Sequence, residues 1–143
     1  MKYLIAPAIA WLIAQSLKHL FRLMGRNRRI FGGQARSMLM LSGGMPSAHA
    51  AFVVSFALSM GLSEGWSSPL FAFAMVFASI VIYDSVMVRY SSGQQGETLN
   101  RLIVEKKSKL LPIRVAHGHT LVEAVAGSII GATVALVVFF ATN

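Results

Sequence analysis

Two short runs hold most of the residue types that could do chemistry. In His117-Gly118-His119-Thr120-Leu121-Val122-Glu123, His119 and Glu123 stand four apart, which puts them on one face of a helix. A carboxylate so placed accepts from one imidazole nitrogen and leaves the other to attack or bind, the arrangement of an oriented nucleophile or base. The second run is Gly43-Gly44-Met45-Pro46-Ser47-Ala48-His49. Its glycines allow unusual backbone angles, and a helix starting near Pro46 aims free N–H groups and a positive dipole end at whatever lies ahead of it. With Ser47 as a hydroxyl donor and Gly44 in the turn, this is a phosphate cradle with His49 close by; taken alone, it reads equally well as a glycine break with a helix cap. A metal reading of His49, His117, His119 and Glu123 also exists, since imidazole and carboxylate suit zinc. The neighbouring Lys and Arg residues repel a cation and suit an anion, so no metal is expected. The chain has no cysteine, which removes thiolate chemistry, disulfides and Cys-built zinc sites.

Four apolar stretches position these groups, each crossing or nearly crossing a bilayer, which takes about 20 residues. They run from 3 to 17, from about 46 to 62 after a short entering segment broken at Gly43-Gly44, from about 67 to 88, and from about 120 to 142. Polar residues gather at particular ends: Gln15 and Lys18 close the first stretch, Ser47 and His49 open the second, Asp84 and Arg89 close the third, and His119 and Glu123 open the fourth. In an alternating four-helix topology all of these ends face one side. Polar groups inside membrane helices are costly and mark function, so a shared pocket is expected there. Gly127 and Gly131 form a G-x-x-x-G pair of the kind that lets membrane helices approach closely.

Composition supports lipid as the solvent. Of 143 residues 55% are hydrophobic and 13% charged, where a soluble domain carries about a quarter charged residues; mean hydropathy is +0.64. The 13 basic residues against 5 acidic ones give a formal charge of +8. Twelve of the thirteen lie in or beside the segments 18–36 and 89–114, while the connection 61–67 holds only Glu64. The positive-inside rule assigns the two basic segments to the cytoplasm and both termini to the outside. The positive charge follows the first apolar run, as in a retained helix rather than a cleaved signal peptide. Nucleic acid is not expected as a partner, because the basic loops are poor in aromatic stacking residues and anionic lipid accounts for the charge.

In these segments the chain resembles the divergent, membrane-embedded branch of the type 2 phosphatidic acid phosphatase superfamily, which is related to the vanadium haloperoxidases. The resemblance rests on Ala-Gln-Ser-Leu-Lys ending at Lys18, Gly-Gly-Met-Pro-Ser-Ala-His ending at His49, Tyr83-Asp84 through Val88-Arg89, Gly93 with Gln95, and the run from Gly118 to Gly127. It implies His119 as the histidine nucleophile, Glu123 in place of the acid that orients it, His49 as the proton donor to the leaving alkoxide and Ser47 as a phosphate-binding serine. Lys18, in its Gln-x-x-Lys context with Gln15, matches a basic residue of the branch, and Arg36 stands for the first-motif arginine. Arg89 and Arg114 compete for the arginine that precedes the nucleophile, because 29 residues separate Arg89 from His119 where the superfamily places the two close together. Other departures are Ala48 for a Gly or Ser, Met87 for a Gly and Tyr90 for a second Arg.

The expectation is therefore an all-α membrane bundle of about four transmembrane helices forming one domain over residues 1–143. It would be a multi-pass protein of the cell (inner) membrane, completed by self-association as a homodimer if its small core needs it. The resemblance implies a cofactor-free lipid phosphatase working through a phosphohistidine. The charge asymmetry turns its pocket to the cytoplasm, where phosphatidylglycerol phosphate or phosphatidate is the fitting substrate. A lipid-phosphate binder or transporter using the same basic pocket without turnover is the alternative.

Overall fold

The computed structural model describes residues 2–24, 44–113, 115 and 117–142. They form an all-helical bundle. Helix α1 is Lys2–Leu23, α2 Ala48–Glu64, α3 Pro69–Tyr83, α4 Arg89–Glu105 and α5 Leu121–Thr142, with a π-helical turn at Asp84–Val88 joining α3 to α4.

Interior and exterior are sorted by size as much as by polarity. The buried residues are small: Ala6, Ala10 and Ala14 of α1 are at most 2% exposed, as are Ala50, Ala51, Ser55 and Ala57 of α2, and Ala74 of α3 is similarly enclosed. Large apolar side chains point outward, among them Leu4, Leu12, Phe73, Val76, Ile80, Val137 and Phe140. A soluble protein would bury the large residues; one solvated by lipid gains nothing by that and brings its helices together on small ones. The spans Tyr3–Phe21, Pro69–Glu105 and Leu121–Thr142 are long and apolar enough to cross a membrane, and α2 is a shorter apolar helix of 17 residues. At 1.5 Å per residue α2 is about 25 Å long. It occupies the centre, with buried residues on nearly every face.

The pairings set the directions. The Tyr3 hydroxyl donates to the Glu64 carboxylate, so α1 begins where α2 ends and the two are antiparallel. Helices α2 and α5 run parallel: the Ser47 N–H donates to the Glu123 carbonyl oxygen at 2.9 Å. Along the same seam Gly127 lies against the Ser47 carbonyl and Gly131 against the Ala51 carbonyl, so closely that a Cβ on either glycine would strike backbone. The G-x-x-x-G pair thus serves the approach of α5 to α2. A turn over 65–68, with Trp66 edge-on to Phe71 at 5.1 Å, reverses the chain into α3. The ends of α1 and α3 and the starts of α2 and α5 lie at one end of the bundle.

Two boundaries differ from the sequence reading. Helix α2 begins at Ala48, not Pro46, because Ser47 is its N-cap and accepts from the Ala50 N–H at 3.3 Å; a serine in the cap satisfies an otherwise orphan donor. Gly44 takes φ 89°, the left-handed region that glycine occupies without strain. The entering segment before it falls in 25–43, outside the described residues, and no re-entrant element is seen among those described. The third helix does not stop at Val88 but continues through the π turn to Glu105, 37 residues from Pro69.

Candidate active site

The site is assembled at the end of the bundle where four helix termini meet. Helix α1 brings Lys18 there on its inward stripe: Ala6, Ala10, Ala14 and Lys18 recur every four residues, on one face, and Lys18 is 4% exposed. Gln15, half-buried, lies one turn before it. A lysine is rarely so enclosed without compensation, and here it lies close enough to His49 for its charge to act on that ring.

Helix α2 contributes Ser47 and His49. Ser47 is fully buried; its oxygen caps α2, which leaves the hydroxyl its own hydrogen to donate. His49, in the first turn, lies at the accessible rim. Its ring centroid is 5.9 Å from that of His119, with the planes inclined at 62°. The charges of Arg89, Lys18 and Asp84 are all felt at the His49 ring, so three helix ends besides its own converge on it.

The π turn explains how Asp84 and Arg89 act together. In an α-helix residues five apart point away from each other, but here the Arg89 N–H bonds to the Asp84 carbonyl oxygen and the wider turn brings the two side chains onto one face. Arg89 Nε donates to Asp84 Oδ2 at 2.6 Å. This bond uses one of the five N–H donors of the guanidinium and leaves the terminal ones for a second acceptor. The same turn presents the Ser85 carbonyl, which accepts from the His119 N–H at 2.9 Å, so the nucleophile candidate is tied through its backbone to the element that carries Arg89.

His119 is 2% exposed. Its Nδ1 lies 3.2 Å from Glu123 Oε2, and a carboxylate there favours the tautomer that carries its proton on Nδ1 and frees Nε2. Glu123 has a second task that the sequence reading missed. Oε2 accepts from the Thr120 N–H at 3.0 Å while the Glu123 N–H donates to Thr120 Oγ1 at 3.3 Å, a capping box that starts α5. The signal was available as Thr120-x-x-Glu123. The helix cap therefore fixes the carboxylate that orients the imidazole.

The four residues of the metal reading do not converge: His117 pairs with Glu97 at 3.4 Å, His119 with Glu123. Among the described residues no three His, Cys, Asp or Glu side chains are grouped to hold a metal ion. Of the sequence-derived candidates, Lys18, Ser47, His49, Asp84, Arg89, His119 and Glu123 are brought to one end of the bundle, with Gln15 and Gly44 beside them. Arg36 and Arg114 lie outside the described residues.

Fold and site together define a small integral membrane protein with a cluster of basic and histidine side chains at one end of its helices. The sequence model of the Divergent PAP2 family matches residues 1–134, and the chain belongs to that family. It is similar to the uncharacterized membrane protein YuiD of Bacillus subtilis (strain 168), 29% identical over 119 residues, covering 73% of this chain and 75% of that protein. No solved structure matches.

Proposed function

We propose that this protein is a membrane lipid-phosphate phosphatase that hydrolyses a phosphomonoester through a phosphohistidine. The observation that carries the reading is the enclosed His119–Glu123 pair, joined through Nδ1, beside a second histidine and two basic residues, in a chain of PAP2-related lineage. In this mechanism His119 Nε2 attacks phosphorus in line, and the P–N bond forms as the ester P–O bond breaks. The departing alkoxide takes a proton from His49. A water molecule, giving its proton to His49, then cleaves the P–N bond, releasing inorganic phosphate and restoring both rings. Lys18, Ser47 and Arg89, with Arg36 or Arg114, neutralise the phosphoryl oxygens, where charge stabilisation supplies much of the acceleration.

The excess of basic residues on the site's side of the bundle supports a cytoplasmic pocket. Phosphatidylglycerol phosphate or phosphatidate, made on that side, then fits better than an undecaprenyl diphosphate recycled outside. The test is phosphate release by the purified protein in liposomes with EDTA present, across phosphatidylglycerol phosphate, phosphatidate and prenyl phosphates, beside His119→Ala. The expected outcome is release from a cytoplasmic-leaflet lipid that vanishes in the variant. Binding of these lipids without release, unchanged in kind by His119→Ala, would instead make the protein a lipid-phosphate binder or transporter.

A further inference from the structure

His119 is delivered to the site by the chain that returns from α4, and α4 is shaped to hold that return. Gly93, Gly96, Glu97, Asn100 and Ile103 fall at spacings of three and four, one face of the helix, and Gly93, Gly96 and Ile103 are its buried residues. Against this face the returning residues dock in antiparallel order. The side-chain amide of Asn100 grips the backbone of Ile113 at two points, accepting from its N–H at 2.8 Å and donating to its carbonyl oxygen at 2.9 Å. Val115 fills the space over Gly96, where a Cβ would sit 3.1 Å from a Val115 methyl. His117 meets the Glu97 carboxylate at 3.4 Å, and Gly118 lies on the backbone of Arg89 and Tyr90. The next residue is His119, with its N–H on Ser85.

We propose that Asn100, supported by Glu97, is a positioning residue that fixes the placement of His119 against the phosphate-holding groups; this rests on the phosphatase reading above. Of the groups that would hold phosphate, Lys18, Ser47 and Arg89 belong to α1, the α2 cap and the first residue of α4, more than two turns before Asn100 on its own helix, and none of the three bonds to Ile113. Loosening the clasp should therefore move the nucleophile and leave phosphate binding by these three groups in place. A shift of about 1 Å at a reacting group costs on the order of 100-fold.

The experiment uses the full chain in liposomes of the lipid phosphate released fastest by the unsubstituted protein, with Asn100→Ala, Asn100→Asp and, on another face of α4, Thr98→Ala. Amide exchange of the peptide spanning 113–120 is measured alongside kcat and KM. The expected result for Asn100→Ala is faster exchange confined to 113–120, a kcat lowered roughly 10- to 100-fold and a KM changed less than about threefold. Asn100→Asp, which keeps the acceptor for the Ile113 N–H and loses the donor, should fall between Asn100→Ala and the unsubstituted chain, and Thr98→Ala should match the latter. Unchanged exchange, loosening of α2 and α5 as well, or loosening of 113–120 with kcat intact would each overturn the proposal. If the unsubstituted protein releases no phosphate, the phosphatase reading fails by itself. Exchange then still decides the clasp, and the positioning role falls with the reaction.

Discussion

At the residue scale the central feature is that Glu123 serves two structures at once. Its Oε2 faces His119 Nδ1 and accepts the Thr120 N–H that starts α5. The two tasks separate by substitution. Glutamine serves a capping box as glutamate does but carries no charge to stabilise an imidazolium. Glu123→Gln should therefore unfold thermally in detergent close to the unsubstituted protein while its phosphate release falls roughly 10²- to 10⁴-fold. Glu123→Ala loses the cap as well and should be less stable by about 1 kcal/mol. Equal stability loss in the two variants, with activity tracking stability, would reduce Glu123 to a helix cap. The His119–Glu123 pair was legible in the sequence because both residues lie on one turn. The Thr120 half of the arrangement was equally local, but that four-residue run was read for its imidazole and not for its backbone donors.

At the element scale, what could be read depended on how far apart the interacting residues lie. Gly127 and Gly131 announced a close helix approach through their spacing, and the structure supplies the partner, the carbonyl edge of α2 at Ser47 and Ala51. Because the obstacle there is backbone, a side chain cannot be accommodated by a rotamer change. Gly131→Val should cost about 1–3 kcal/mol or more in thermal unfolding, whereas Ile129→Ala on the outward, 61% exposed face should stay within about 0.5 kcal/mol. Comparable losses at both positions would argue against the α2–α5 seam. The joint between α3 and α4 was less legible. Asp84 and Arg89 are five apart, a spacing that pairs side chains only if the helix widens, and nothing in Asp-Ser-Val-Met-Val specifies a π turn. The polar run from Arg89 to Glu105, with glycines at 93 and 96, carries no readable geometry in its sequence. Both glycines are buried in a helix, and Gly96 is so because Val115 of the returning chain lies over it, a contact between residues about 20 apart that no local pattern encodes.

At the scale of the whole molecule, length and charge together constrain how the bundle sits in lipid. The continuous helical path from Pro69 to Glu105 has 37 residues, about 55 Å at 1.5 Å per residue, against a hydrocarbon core of about 30 Å. Its polar α4 portion must therefore extend beyond the hydrocarbon at the end where the site lies. Arg101, Lys106, Lys107 and Lys109 lie on or just after it, so, on the function proposed above, a lipid phosphate would enter from the side on which α4 emerges. The absence of native cysteine makes this measurable with single thiols. Ser67, exposed in the α2–α3 turn, and Ser92, exposed on α4, lie toward opposite ends of the same helical path. In oriented inner-membrane vesicles or intact cells, a membrane-impermeant maleimide should reach Ser67→Cys from outside and Ser92→Cys only from the cytoplasmic side. The reverse pattern would turn the pocket outward. It would leave the chemistry proposed for His119 intact but exchange the proposed substrates for lipid phosphates presented on the outer surface.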